Sequence, residues 1–351
     1  MGFFNIHGKE DIIEAQKKIS AELRRIRETS KPEKCILCGR NQTSYCNSHS
    51  VPAMVLRNIA DGGKVLQSNR LVDFEILELE KGVNNSGTFH FICRECDSKY
   101  FQDYEDESKL SQKPSDKMLA EIALKNSLLM LSKRTQEHEL YRTLQSEYPQ
   151  RAHFEDMFDV QSLDKRDYLE EVELYKEIID KNLCSCFHVL FWKVLPHRIP
   201  IATQSEIALH FDLEGNEINE IYNLSPDIRI QSMHLCLFPL NECSIILAFY
   251  HRRDKGYRGL RHQINSMSES EILEYLNYLV FAYTENYYLY KGIEEVIIND
   301  EKLQELSREY DMNPDLGLVS EQNISKHMTY KAISRNEIPN FLLDKYAISP
   351  R

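Results

Sequence analysis

The first periodic stretch of the chain is residues 9–29 (KEDIIEAQKKISAELRRIRET), where Ile12, Ile19 and Ile26 recur at seven and Ala15 and Leu23 widen the stripe. This spacing predicts an amphipathic helix that packs on its own chain or serves as a short dimerisation or partner-binding helix. Ser30-Lys31-Pro32 ends it, because the residue before a proline is pushed out of the helical region. Residues 33–110 have a different texture. Lys64–Gln67, Val72–Leu79 and Thr88–Ile92 suit short strands, Gly62-Gly63 and Asn84-Asn85 mark turns, and Tyr100, Phe101 and Tyr104 give helical spacing after Cys96. Ser111–Ser115, with Pro114, reads as a linker. Beyond it Met118, Ile122, Leu128 and Leu129, with Leu119 and Leu124, predict a buried helix, and Leu163–Asn182 predicts another with charged outer faces. Residues 186–250 then turn to short apolar runs, FHVLFW, EIALHF, SMHLCLF and SIILAFY. Turns at Glu214-Gly215-Asn216 and Leu240-Asn241-Glu242 predict antiparallel hairpins among them. Helical patterns return at 268–286, 299–309 and toward the C-terminus, and no internal repeat or low-complexity tract occurs. The expected fold is α+β, with an N-terminal helix (1–30), a small module (31–110) and a larger helix-rich body containing antiparallel strands (111–351).

Composition narrows the class of protein. The 351 residues and 42% hydrophobic content suit a globular chain of two or three domains. No run approaches the roughly 18 uninterrupted apolar residues of a membrane span, so no membrane partner is expected. The N-terminal MGFFNIHGKE lacks a basic segment followed by a long apolar run, and Ile6 stands where a myristoylation signal after Gly2 wants Ser or Thr. A cytoplasmic location follows as the expectation. Nine cysteines in such a setting point to metal or free thiols, since a reducing poise opposes disulfides. The formal net charge of −12 requires any nucleic-acid contact to rest on a local basic surface.

Cys35-Ile-Leu-Cys38 and Cys93-Arg-Glu-Cys96 are two CxxC pairs with 54 residues between them. Two intervening residues put both thiolates on one side of a tight knuckle, and four thiolates close a tetrahedral set with no open position. The pattern predicts one structural Zn²⁺ held by Cys35, Cys38, Cys93 and Cys96, with the predicted strands inserted between the knuckles. The other reading, unrelated pairs or a redox CxxC, lacks the βαβ setting of a thioredoxin-type motif. Cys46 could replace one ligand or stand beside the site. Cys184, Cys186, Cys236 and Cys243 lie in or beside apolar runs and read as small buried hydrophobes.

The run Cys35-x2-Cys38-x10-His49, with His49 in Ser48-His49-Ser50-Val51-Pro52, followed by Cys93-x2-Cys96, resembles the zinc-bearing HNH endonuclease family. It is similar to bacterial members with a Ser-His-x-x-Pro core and a CxxC followed by an acidic residue and a Phe/Tyr-Glu segment, matched here by Asp97, Phe101, Tyr104 and Glu105. The match spans about 75 residues, roughly a fifth of the chain. The resemblance implies a treble-clef, ββα-metal-like fold. It implies phosphodiester hydrolysis with His49 as the base and Mg²⁺ or another divalent metal held from the last helix. The family carries an Asp before its histidine, where Ser48 stands, and a His or Asn in the last helix, where Asp97 stands. Carboxylate oxygen is an acceptable hard-metal ligand. The family's middle asparagine has no clear counterpart: Thr88 occupies the matching spacing, Asn84 and Asn85 lie upstream, and His90 alternates with Phe89 and Phe91. Against the catalytic roles, His49 could cap the helix starting near Pro52, the helix dipole alone favours an acid at Asp97, and Glu105 reads as a solvated helix residue.

The densest basic segment, residues 251–262, carries Arg252, Arg253, Lys255, Arg258 and Arg261 around Tyr257. Cations with an aromatic in a loop suit phosphate contacts and base stacking, although a solvated hairpin loop has the same composition. No P-loop, dinucleotide fingerprint or nucleophile elbow occurs. The expected function is therefore a metal-dependent HNH-type endonuclease acting on nucleic acid, DNA ahead of RNA, in which a protein partner or second copy could take part. The alternative is a non-catalytic zinc-binding regulatory or binding module with a degenerate HNH site.

Overall fold

In the computed structural model, residues 21–42, 44–67, 80–147, 154–221, 223, 225–284, 286–310 and 333–349 are described. Residues 21–29 form helix α1, which buries Ile26 and ends at Ser30, whose Oγ donates to the Ile26 carbonyl. The first half of the predicted helix lies outside the described residues, as does the predicted strand Val72–Leu79. The chain continues through β1 (Ser48–His49), α2 (Ala53–Ile59), β2 (Lys64–Gln67), β3 (Glu80–Gly82), β4 (Thr88–Phe89), α3 (Arg94–Tyr100) and α4 (Glu107–Leu110). Two long helices follow, α5 (Asp116–Glu147) and α6 (Phe154–Lys181). Next come β5 (Phe187–Leu195), β6 (Ile201–Ile207), β7 (Met233–Pro239), β8 (Ser244–His251), α7 (Arg258–Ser266) and α8 (Glu269–Tyr283). The last elements are β9 (Tyr287–Leu289), α9 (Glu295–Ile298) and α10 (Glu301–Tyr310). The fold is α+β, and no helix among the described residues is long and apolar enough to cross a membrane.

Among the described residues, seven strands form one sheet in the order β3-β2-β9-β6-β7-β8-β5, and every pairing is antiparallel. The predicted turn at 240–242 joins β7 to β8, closed by the Leu240 amide on the Cys243 carbonyl. Side chains alternate across the sheet. Cys236, Phe238, Ile245, Leu247 and Phe249 enter one core with α5 and α6, and Leu235, Leu237, Ile246, Ala248 and Tyr250 enter another with α7 and α8. Coverage of both faces is why these strands read as nearly continuous apolar runs rather than alternating ones. The run EIALHF departs from the expectation, because β6 spans Ile201–Ile207 instead. Its polar interior (Thr203, Gln204, Ser205, Glu206) hid its start. At its far end the Leu209 amide donates to the Tyr257 hydroxyl and His210 bonds the Asn219 carbonyl, which draws the chain off the sheet. The turn at Glu214–Asn216 is tied to the Asp212 carboxylate and joins only a single bridge, Phe211 to Glu217, not two full strands.

Helix α5 packs against both α6 and the sheet. Every residue from Met118 to Leu129 is buried, including Glu121, Lys125, Asn126 and Ser127. It therefore shows no single apolar stripe. Its apolar residues share one core with Cys35, Phe89, Cys96 and Phe101 from the N-terminal segment and with Phe187 and Phe249 from the sheet. The sheet also crosses the expected boundary near residue 110, since β2 pairs with both β3 and β9.

Candidate metal centre and the adjoining polar pocket

The two CxxC knuckles meet. Ligand atoms of Cys35, Cys38, Cys93 and Cys96 all lie within 4.8 Å of one another, and the Cys38 and Cys93 sulfurs are 3.9 Å apart. Thiolates at zinc–sulfur distance on a tetrahedron are about 3.8 Å apart, so the four residues fit a closed tetrahedral metal site. Gly39 at φ +68° turns the first knuckle, which is closed by its own amide donating to the Cys35 carbonyl. The second knuckle is the start of α3, with Cys93 at the N-cap. The Arg40 guanidinium, 3.3 Å from the Cys38 sulfur, pulls that thiol down to about 6, which favours the thiolate a metal needs. Burial pushes Cys35 and Cys96 the other way. Cys46 stands outside the group, its thiol pushed up to about 11 by burial and the neighbouring Asp97 charge.

Of the four remaining cysteines, Cys236 alone is fully buried. Cys186 and Cys243 are half-buried against the core, and Cys184 is exposed where the chain leaves α6. The reading of all four as buried small hydrophobes thus holds in full only for Cys236.

Beside the knuckles, β1 pairs with β4, placing Ser48 opposite Phe89 and His49 opposite Thr88. Helix α3 packs on this strand pair through Asp97. Ser48 Oγ donates to Asp97 Oδ1 at 2.5 Å, and the Cys46 thiol donates to Oδ2 at 3.5 Å. The third donor is Lys125 from α5. Its Nζ donates to Asp97 Oδ1 (3.0 Å), to Ser48 Oγ (2.8 Å) and to Glu105 Oε1 (3.4 Å), and sits 3.6 Å from the Phe101 ring centroid. The Lys125 side chain is 0% exposed. Burial acts to raise Asp97, but the Lys125 charge and the Ser48 and Cys46 donors outweigh it and hold the carboxyl below its ordinary value. The Glu105 side chain stays 39% exposed, as expected of a solvated residue, yet partial desolvation against the pocket pushes its carboxyl up. It lies in the turn after α3, not on a helix, and its carboxylate joins the pocket. One turn earlier on α5, Glu121 accepts the Asp103 and Tyr104 amides and so fixes this turn against the helix.

His49 does not join Asp97 directly. Successive strand residues face opposite sides, and while Ser48 meets Asp97, His49 Nε2 bonds the Val83 carbonyl at 3.1 Å. A carbonyl can only accept, so the neutral ring carries its proton on Nε2 and its lone pair on Nδ1. Burial lowers the His49 pKa and favours that neutral form. His49 still lies within the electrostatic reach of Lys125 and Asp97. The side chains of Asn84 and Asn85 are exposed, and the Asn84 carbonyl accepts from Asn47. His90 is half-buried and feels Lys31, Glu28 and Arg27 of the α1 region.

The basic segment is not a loop. Lys255–Tyr257 form a 3₁₀ turn that runs into α7. Tyr257 is fully buried, its hydroxyl bonded to backbone at Ile207, Leu209 and Gln231, so it offers no ring for stacking. Arg253 is turned inward onto Glu171 at 2.7 Å. Arg252, Lys255 and Arg258 are exposed and Arg261 is half-buried.

A second polar group, absent from the sequence-based expectations, lies between α5, α6 and the sheet. Ser127 Oγ donates to both Glu171 Oε2 (3.2 Å) and Glu206 Oε2 (3.0 Å), and Arg253 and Arg229 flank Glu171. Burial raises both carboxyls; the Glu206 charge raises Glu171 further, whereas hydrogen bonds from Glu171, Ser232 and Ser127 oppose the rise at Glu206. Beside them His234 is buried between Asn126 and Tyr175. The signal available in the sequence was the break of Lys125-Asn126-Ser127 within an otherwise apolar stretch of helix. No family model, curated protein or solved structure matches this chain.

Proposed function

We propose that residues 31–110 form a zinc-bearing treble clef of the HNH type, and that the chain hydrolyses phosphodiester bonds in nucleic acid with His49 as the general base. The observation that carries this reading is the His49 imidazole. Burial keeps it neutral, and the Val83 carbonyl fixes the tautomer that leaves Nδ1 able to take a proton from water. The antiparallel β1–β4 pair and the helix after the second CxxC support the treble clef, and the thiolate spacing supports Zn²⁺ as the structural ion. Exposed Arg252, Lys255 and Arg258 are the candidate contacts to the nucleic-acid backbone.

The Mg²⁺ expected at Asp97 does not fit this arrangement, because the carboxylate is already occupied by the Lys125 ammonium. That observation favours a second reading, in which the zinc-built frame is kept for binding or regulation without cleavage. The experiment that separates them is nicking of supercoiled plasmid, single-stranded DNA and RNA by the zinc-loaded chain, with and without Mg²⁺ or Mn²⁺. The nuclease reading expects cleavage that His49→Ala reduces by about 10²-fold or more, with zinc content unchanged. Equal cleavage by His49→Ala overturns the role of His49. No cleavage of any substrate by the wild-type chain establishes the second reading.

A further inference from the structure

Asp97, Glu105 and Ser48 form an oxygen-lined pocket of the N-terminal segment, yet the positive charge inside it comes from another part of the chain. Lys125 enters on α5, and each of its three N–H groups has an oxygen acceptor: Asp97 Oδ1, Ser48 Oγ and Glu105 Oε1. The Phe101 ring closes a further side of the ammonium, an arrangement that favours a cation. With the side chain 0% exposed, no hydrogen-bonding capacity of Nζ is left for solvent or substrate. A hard divalent ion bound by the same carboxylates would need oxygen ligands at about 2.0–2.6 Å, in space the ammonium now fills. Lysine's flexible stem leaves it a compact point charge that suits this role, where the planar fork of an arginine would not.

We propose that Lys125 is the resident cation of this pocket, and that it and a divalent metal ion exclude one another there. The proposal rests on the reading of Asp97 as the module's cation-facing carboxylate. It assigns to α5 a positioning role: the helix neutralises Asp97, holds Ser48 and thereby β1 against α3, and sets how readily the pocket takes a metal. A chain in which α5 keeps its ammonium in place has no open divalent site beside His49, whatever His49 does.

The test is Mn²⁺ binding to the zinc-loaded full-length chain, read by electron paramagnetic resonance and calorimetry with no nucleic acid present. The wild type is expected to show no stoichiometric Mn²⁺ site. Lys125→Met is expected to bind one Mn²⁺ per chain at least tenfold more tightly, and Lys125→Met with Asp97→Asn to lose it. Zinc content and circular dichroism verify that each variant is folded. Should Lys125→Met fail to fold, Lys125→Gln, which keeps a donor toward Ser48, replaces it. Two results overturn the proposal: a wild-type Mn²⁺ site that Asp97→Asn removes, or a folded Lys125 variant that gains no Mn²⁺. Cleavage is not part of this readout. Failure of the His49 assignment therefore leaves the Mn²⁺ result standing, and failure of the Mn²⁺ result leaves the His49 assignment to its own test.

Discussion

At the residue scale, the most consequential side chains are polar ones inside an apolar surrounding. His234 is fully buried and neutral; burial pulls its pKa down to about 3, and burial with the nearby Arg253 charge pulls His251 to about 4. The unfolded chain takes these protons near the ordinary histidine value of about 6.5. Their contribution to stability is therefore intact above about pH 6.5 and is lost as pH falls toward the folded values. The raised carboxyls of Glu171, Glu206 and Asp254, which share this region, act with the opposite sign, losing stability as pH rises. Those carboxyls remain in a His234→Gln variant, so comparing it with wild type isolates the histidine. Urea unfolding between pH 6 and pH 4 should show the variant losing less stability than wild type, by up to about 1.4 kcal/mol per pH unit. Identical slopes would mean that His234 is not held neutral.

At the scale of elements, one contact between the N-terminal segment and the sheet requires close approach at a glycine. Gly87 sits at φ +59°, and a Cβ there would run into the Tyr288 hydroxyl and Ser50 Oγ. Those two groups share Asn286 as a hydrogen-bond partner, and the Gly87 carbonyl accepts the Ser50 amide. Gly87→Ala combines left-handed backbone strain with a steric clash and should cost about 2 kcal/mol or more, measured by chemical unfolding. A neutral result would show that β9 and the β1–β4 pair can part without penalty. Helix α5 shows the complementary case, in which apolar residues on all sides bind two layers. Its burial was legible in part, because Met118, Ile122 and Leu128 were recognisable as core positions. The roles of Glu121 and Lys125 were not, because their partners lie on β1, α3 and the turn after it, which the pattern of one helix does not reveal.

At the scale of the whole molecule, the metal centre and the body share a continuous core. Cys35 and Cys96 belong to the same buried cluster as Leu128 and Phe249. Metal loss should then be felt well beyond the knuckles. Chelation, or Cys96→Ser, is expected to remove the zinc proposed for the four-cysteine group and to lower the melting temperature of the entire chain in a single shifted transition. Calorimetry with metal analysis verifies this. A body transition that stays put while the metal is stripped would show that the two parts fold independently.

The sequence by itself determined the four-thiolate group, because knuckle geometry is local and two intervening residues suffice to aim a pair of sulfurs. It also determined most strands and helices, because apolar runs and periodicity report burial directly. The β6 strand escaped, since its polar residues point into buried networks that no period distinguishes from a loop. Tertiary structure alone decided that Ser48, rather than His49, meets Asp97, and that Tyr257 is a buried hydroxyl donor rather than a stacking ring. It alone brought Lys125 to a carboxylate 28 residues earlier in the chain. Such pairings are set by how α5 crosses the β1–β4 pair and the sheet, a long-range packing outcome that local spacing does not encode.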